Sequence, residues 1–341
     1  MCKLHTYMFV AFVIVLCIFI VDNTQAKIAD DTDVYTNTAE RKQQEAEFSA
    51  LFTPKRQGRI HVGVAANFAK PLASITQAFT KITGVDVVTT VSSSGTLFAQ
   101  ILHGATFDVF LSADVNRPNA LIDKGVIHAG NVVNYAEGEL VYIYRRRDHM
   151  NDDMQSPEDV LRSTLDALVQ QQGKVAIANP KLAPYGLAAK QTLENLSLWH
   201  NSATSPSRVT GKNVLQTLQF FTTGSASSAF IAKSVLPGLE QQLETAYSVV
   251  SVPVDFYSPI MQGLSVNRKQ PAVLTPNWFN ENSGDNTIAI TSEVDNASLF
   301  VQFILSDFMQ CALPKWGYKP AMAVRNTMHE NGDAVPEKVS C

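Results

Sequence analysis

The chain has 341 residues, 45% of them apolar and 17% charged, and its formal net charge is −4. No basic patch stands out that would suit nucleic acid or an anionic membrane surface, so neither is an expected partner. The length is enough for two lobes of ordinary domain size.

Residues 1–26 have the layout of a secretory signal peptide: Lys3, an apolar run over 7–21, and Ala26 before the expected cleavage site. The run is short for a spanning helix, which needs about 20 apolar residues. Leu16 precedes Cys17 where a lipoprotein signal normally has a small residue, so lipidation is not expected. Cleavage would remove Lys3 and Asp22 together, leaving the net charge as it is, and would also remove Cys2 and Cys17. Cys311 and Cys341 would then sit in an oxidising compartment, where a disulfide between them is allowed. Residues 27–58 form a polar, charge-rich extension whose modest apolar cluster is Phe48, Leu51 and Phe52.

After the extension the pattern becomes regular. Residues 60–66 read as a buried strand and 71–82 as an amphipathic helix, with Leu72, Ile75, Phe79 and Ile82 at helical spacing and Gly84 at its end. A strand over 85–91, a helix over 95–103 and a strand over 107–111 complete a βαβαβ order. Such alternation predicts a parallel sheet with helices on both faces and ligands outside the strand carboxyl ends. Further strands are expected over 139–144, 174–178, 229–232 and 248–254, with helices over 156–171, 187–198 and 214–221 and a turn over 180–186. We read 138–257 as a second α/β lobe inserted into the first, which comprises 59–137 and 258–341. The chain returns near 257–266. Residues 267–296, rich in Asn, Pro, Ser and Gly, read as a partly irregular excursion, and 299–316 as one helix packed back on the first lobe.

Two strand-to-helix junctions carry small polar turns, Val-Ala-Ala-Asn-Phe at 64–68 and Ser-Ser-Ser-Gly-Thr at 92–96. A helix start leaves backbone N–H groups without partners, and the aligned peptide dipoles make that end attractive to anions. The same residues also fit ordinary N-caps, so the turns alone leave both readings open. The usual hydrolase elbow, phosphate loop and dinucleotide fingerprint are missing, and the seven histidines show no metal-ligand spacing. Asp108 and Asp114 bracket Ser112, but carboxylates at that spacing do not obviously converge on one substrate. Capping and strand-end hydrogen bonds suit them better, and no enzyme is expected.

Taken in order, Val-Ala-Ala-Asn-Phe, Gly84-Val85-Asp86-Val87-Val88, Ser-Ser-Ser-Gly-Thr-Leu and Phe107-Asp108-Val109-Phe110-Leu111-Ser112-Ala113-Asp114 resemble the periplasmic molybdate-binding proteins of ABC transporters. Ala178-Asn179-Pro180 with Pro184-Tyr185-Gly186-Leu187-Ala188-Ala189-Lys190 is similar to that family's second-lobe turn. Phe303-Ile304-Leu305-Ser306-Asp307 with Lys315-Trp316-Gly317-Tyr318 is similar to its closing helix. The resemblance covers roughly residues 59–320. It implies a two-lobed type II periplasmic binding protein fold, each lobe a mostly parallel sheet flanked by helices. It also implies a periplasmic monomer that holds molybdate or tungstate between the lobes through hydroxyls and backbone N–H groups. Delivery would be to an ABC import permease, with no cofactor and no directly ligated metal ion. Carried over by motif, Asn67 takes the first-turn ligand position, Ser94 the second, and Tyr185 the second-lobe turn. Val214, opening the helix after Gly211-Lys212-Asn213, would offer a backbone N–H. A second-lobe tyrosine common in the family has no clear equivalent, because the segment reads Ala229-Phe230-Ile231-Ala232.

Read without the resemblance, Tyr185 could equally be a packed surface aromatic and Val214 plain core. An oxyanion held by neutral donors is physically sound, because a charge-assisted hydrogen bond is roughly twice as strong as a neutral one. Molybdate and tungstate have longer bonds to oxygen than sulfate. A cavity built for them leaves sulfate short of its donors, at about 1–3 kcal/mol for each buried group left unpaired. The sequence leaves open another oxyanion such as sulfate, a small organic acid, and an interaction protein that keeps the fold without a ligand.

Overall fold

The computed structural model describes residues 56–145, 156–200, 205–239, 247–274 and 294–321. The expected signal peptide, the extension as far as Lys55, residues 275–293 of the excursion and Cys341 lie outside them.

Strand β1 (Arg59–Ala65) is an interior strand of the first sheet, one place in from its edge, with Val62 and Val64 fully buried. A 3-10 turn, Ala66–Phe68, leads into helix α1 (Ala69–Thr83), which buries the face formed by Leu72, Ile75, Phe79 and Ile82. Its cap Gly84 has φ +82°, a left-handed conformation that favours glycine, so the helix stops where the sequence places it. Strand β2 (Asp86–Ser92) and helix α2 (Ser94–Leu102) follow, joined by Ser93, whose hydroxyl accepts the Thr96 N–H as an N-cap. Then come β3 (Val109–Ser112), α3 (Asn116–Asp123) and β4 (Val132–Gly138).

The chain passes to a second sheet at β5 (Leu140–Arg145) and builds α4 (Pro157–Gln170), β6 (Lys174–Ala178), α5 (Pro184–Asn195), β7 (Ser207–Gly211), α6 (Val214–Thr222), β8 (Ser228–Ala232) and β9 (Tyr247–Ser251) there. It returns to the first sheet through β10 (Ile260–Val266), followed by α7 (Asn296–Leu305), α8 (Asp307–Ala312) and β11 (Tyr318–Pro320).

The strand order is β11-β4-β10-β3-β1-β2 in the first sheet and β7-β6-β8-β5-β9 in the second. Both sheets are mixed rather than mostly parallel. β1 runs parallel to β2 and β3, as the βαβαβ pattern predicts, but β10 lies antiparallel between β3 and β4, and β11 is antiparallel to β4. In the second sheet β6 is parallel to β7 and β8, whereas β5 is antiparallel to β8 and β9. Helical crossovers dictate parallel neighbours, while strands that enter a sheet after the chain has changed lobes are free of that rule.

Three expectations change. The single helix over 299–316 is broken at Ser306, which takes an extended conformation and whose hydroxyl accepts the Met309 N–H to start α8. A 3-10 turn, Leu313–Trp316, then carries Pro314. The turn over 180–186 is shorter than expected, because Pro184 occupies the first helical turn of α5, where its missing N–H costs nothing, and Tyr185 follows inside the helix. Strands β4, β7 and β11 and helix α3 were not anticipated as elements, being short or polar in sequence.

One apolar core lies under the first sheet, where Phe79 meets the Phe300 ring edge-on at 5.0 Å. A second core fills the other lobe. It also takes in Ala65, Ala66 and Ala113, at the carboxyl ends of β1 and β3. The small residues that end these strands therefore pack against the opposite lobe.

Candidate functional site

Asn67, Ser94, Tyr185 and Val214 come from four separate segments, and none is more than 3% exposed. Asn67 sits in the turn after β1. Its side-chain amide donates to Gln262 Oε1 and to Tyr318 Oη, both at 2.8 Å, and its carbonyl accepts from Ser234 Oγ at 2.9 Å. Gln262, at a register shift in β10, extends the network through its own amide nitrogen. That nitrogen donates to the carbonyls of Ile260 at 3.2 Å and Ala113 at 3.4 Å, and lies 3.5 Å from Tyr185 Oη. The N–H of Ala113 donates to Ser94 Oγ at 2.9 Å. Gln262 and Ala113 thus connect Asn67, Ser94 and Tyr185 in one buried polar network at the junction of the lobes.

Val214 joins the group through packing. It shares an apolar cluster with Ala65, Ala66, Ala113 and Tyr185. As the first residue of α6 its N–H is one of the donors a helix leaves without an intrahelical partner. The Asn213 side chain caps the same helix by accepting from the Gln216 N–H at 3.0 Å.

Tyr185 projects from the first turn of α5 toward Gly138, the last residue of β4 before the chain changes lobes. A Cβ on Gly138 would lie 2.0 Å from Tyr185 Oη, so only glycine leaves room for the hydroxyl. Burial holds the Tyr185 phenol well above its usual range, and neighbouring Tyr318, Tyr135 and Tyr257 push it the same way. Burial raises Tyr318 and Tyr135 too. These hydroxyls therefore stay protonated and able to donate. Tyr135 Oη has no hydrogen-bond partner among the described residues.

A cation lies close by, but it is already paired. The Arg117 guanidinium bonds to the Asp114 carboxylate, and the Arg117 N–H donates to the same carboxylate at 2.8 Å. Asp108 accepts the His61 N–H at 2.7 Å. Both carboxylates therefore hold backbone, as capping predicts, and do not face a common substrate position. An open groove of about 260 Å³ lined by Ala66, Lys70, Leu215 and Gln219, among others, runs beside this junction and contains none of the four candidates. The four candidates therefore lie apart from that open space.

Sequence reasoning missed Gln262, Tyr318 and Ser234. The 229–232 segment lies in β8, wholly buried, and the additional hydroxyls in the network come from Ser234, just beyond that strand, and from Tyr318 of β11. A Gln beside Gly263 in a mostly apolar strand was the available signal for Gln262.

Such a junction of two mixed sheets, with neutral donors converging from both, defines a two-lobed binding protein of type II topology. The chain matches the model of the bacterial extracellular solute-binding proteins over residues 60–319, and it belongs to that family. It is 37% identical over 212 residues to the molybdate-binding protein ModA of Rhodobacter capsulatus, covering 62% of this chain and 77% of that one. The same identity holds over 203 residues with ModA of Azotobacter vinelandii, for 60% and 75% of the two chains. Among solved structures, the periplasmic molybdate-binding protein of Azotobacter vinelandii superposes with a TM-score of 0.60 at 25% identity, covering 77% of this chain and 99% of that one. The sulfate-binding protein SubI of Mycobacterium tuberculosis H37Rv shares the fold, with a TM-score of 0.53 at 13% identity over 77% of this chain and 87% of that one.

Proposed function

We propose that this protein captures molybdate or tungstate between its lobes, as a monomer in the periplasm, and delivers it to an ABC import permease. The observation that carries this reading is the convergence of Asn67, Ser94 and Tyr185 on one buried, neutral network between the lobes. The relatives named molybdate-binding proteins support it. Ser94 Oγ accepts from Ala113, which leaves its own hydrogen to donate to an anion. Tyr185 is kept protonated by burial and supplies a second hydroxyl. Val214 adds a backbone N–H at a helix start, where the peptide dipoles favour negative charge. Both amide hydrogens of Asn67 are engaged, so the anion takes the place of Gln262 or Tyr318 at one of them. The role is binding and delivery rather than catalysis, since these groups donate hydrogen bonds and make no nucleophile–base pair.

Thermal unfolding with molybdate, tungstate and sulfate tests the reading. A ligand at about 100 times its dissociation constant adds roughly 2.7 kcal/mol to the folded state. Molybdate or tungstate should raise the melting temperature while sulfate at equal concentration barely does. Equal shifts with sulfate would reject the size argument, and no shift with any oxyanion would reject the ligand class.

A further inference from the structure

We propose that Arg117 is a positioning residue that latches the second lobe over the anion and sets how slowly the ligand leaves. The proposal rests on the cleft being an oxyanion site. Arg117 lies in the first turn of α3 in the first lobe, and its guanidinium is held from behind by Asp114, three residues earlier. Both side chains are largely buried. From that fixed position Nη2 donates to the carbonyl of Lys181 in the second lobe at 3.0 Å. The next carbonyl, Leu182, accepts the N–H of Gly95 at 2.8 Å. Two consecutive carbonyls of one lobe are thus gripped by two donors of the other.

The gripped turn is itself stiff. The Asn179 side chain accepts the Lys181 N–H at 3.0 Å, and the Asn179 carbonyl accepts the N–H groups of Leu182 and Ala183. It leads directly into α5 and so fixes where Tyr185 points. Gly95 is part of the device, because a Cβ there would lie 2.9 Å from Leu182 Cα and 3.2 Å from Arg117 Nη2. Latch and ligand use different groups of the same turn: Gly95 N–H faces Leu182, while the neighbouring Ser94 hydroxyl retains its hydrogen for the anion. Loss of the latch should therefore change the rate of release much more than the rate of capture.

The test is stopped-flow release of molybdate from the full chain, together with small-angle scattering on the same samples. Arg117→Ala should speed release about tenfold or more, the effect of losing a hydrogen bond to a charged group, with capture nearly unchanged. Arg117→Lys should recover only part of this, since an ammonium lacks the planar fork that joins Asp114 to the Lys181 carbonyl. Gly95→Ala should speed release as well, and both it and Arg117→Ala should leave the loaded protein less compact than wild type. Wild-type release rates and compaction in both variants would overturn the latch. Should the wild type bind no oxyanion, the functional reading fails, and the latch is judged by scattering alone: a more open Arg117→Ala supports it and an unchanged radius overturns it.

Discussion

Tyr318 and Asn67 grip each other from opposite ends of the chain, the Asn67 amide donating to Tyr318 Oη at 2.8 Å while the same oxygen lies 3.0 Å from the Asn67 carbonyl. The phenol comes from the last strand of the first sheet, and the amide from the turn after the first strand. Ser234 of the second lobe lies 3.0 Å from the same phenol oxygen. Tyr318→Phe removes this shared contact and leaves an amide hydrogen buried without a partner. It should lower unfolding free energy by about 1–3 kcal/mol in urea titrations and weaken molybdate binding by calorimetry. Wild-type stability would mean that Asn67 finds another partner.

Ser94→Ala carries two effects that must be separated. The hydroxyl accepts from Ala113 and, in the proposed complex, donates to the anion. Its loss should weaken binding by about 1–3 kcal/mol and also cost the ligand-free fold a comparable amount, because the Ala113 N–H is buried. Binding is read by calorimetry and the fold by chemical denaturation without ligand. A stable variant with undiminished affinity would remove Ser94 from the site.

Gly138→Ala should be tolerated poorly for a reason that can be isolated. The new methyl would collide with Tyr185 Oη at 2.0 Å, and Gln262 Nε2 would be the next atom at 2.8 Å. Overpacking of this kind costs on the order of 1–3 kcal/mol. In a Tyr185→Phe background the first collision disappears, so the penalty should shrink, and a double-mutant cycle reads the difference. Additive effects would show that the Tyr185 hydroxyl is not what the glycine accommodates.

Alkaline stability follows from the buried phenols. Burial pushes Tyr142 up to about 12, and Tyr135, Tyr185 and Tyr318 are raised by the same cause. A group whose folded value exceeds its unfolded value of about 10 contributes stability that is complete below that pH and is lost as pH rises through the folded value. Unfolding free energy should therefore decline above pH of about 10. Phenolate absorbance of the folded protein should account for fewer tyrosines than the unfolded protein shows, until unfolding releases the rest. Titration of every tyrosine near pH of about 10 in the folded state would contradict the burial described.

Local chemistry made part of this fold readable. The spacing of Leu72, Ile75, Phe79 and Ile82 marks α1, Gly84 ends it, and Ser93 opens α2, all through contacts within a few residues. Ser306 broke a helix expected to be continuous because its capping role competes with an apolar run that reads as helix on both sides. The candidate site was legible only in part, and Tyr185 and Val214 entered through resemblance rather than through their own patterns. Gln262 and Tyr318 stayed hidden because their partner Asn67 is 195 and 251 residues away, and a buried polar side chain is explained only by such a partner.

The placement of β10 has a consequence for the order of assembly. β4 pairs with neither β1 nor β3; its hydrogen-bonded neighbours are β10 and β11, both made after the whole second sheet. The first lobe therefore cannot finish its sheet while the chain is being laid down in sequence. Its early strands must wait beside an unmatched edge until β10 fills the gap, a long-range pairing of the kind that slows folding. The second lobe has no such dependence and can form from one uninterrupted stretch. Asn67, tied to Gln262 of β10 and Tyr318 of β11, then acquires its partners in the closing steps, so the first turn of the cleft to be made is among the last parts to become rigid.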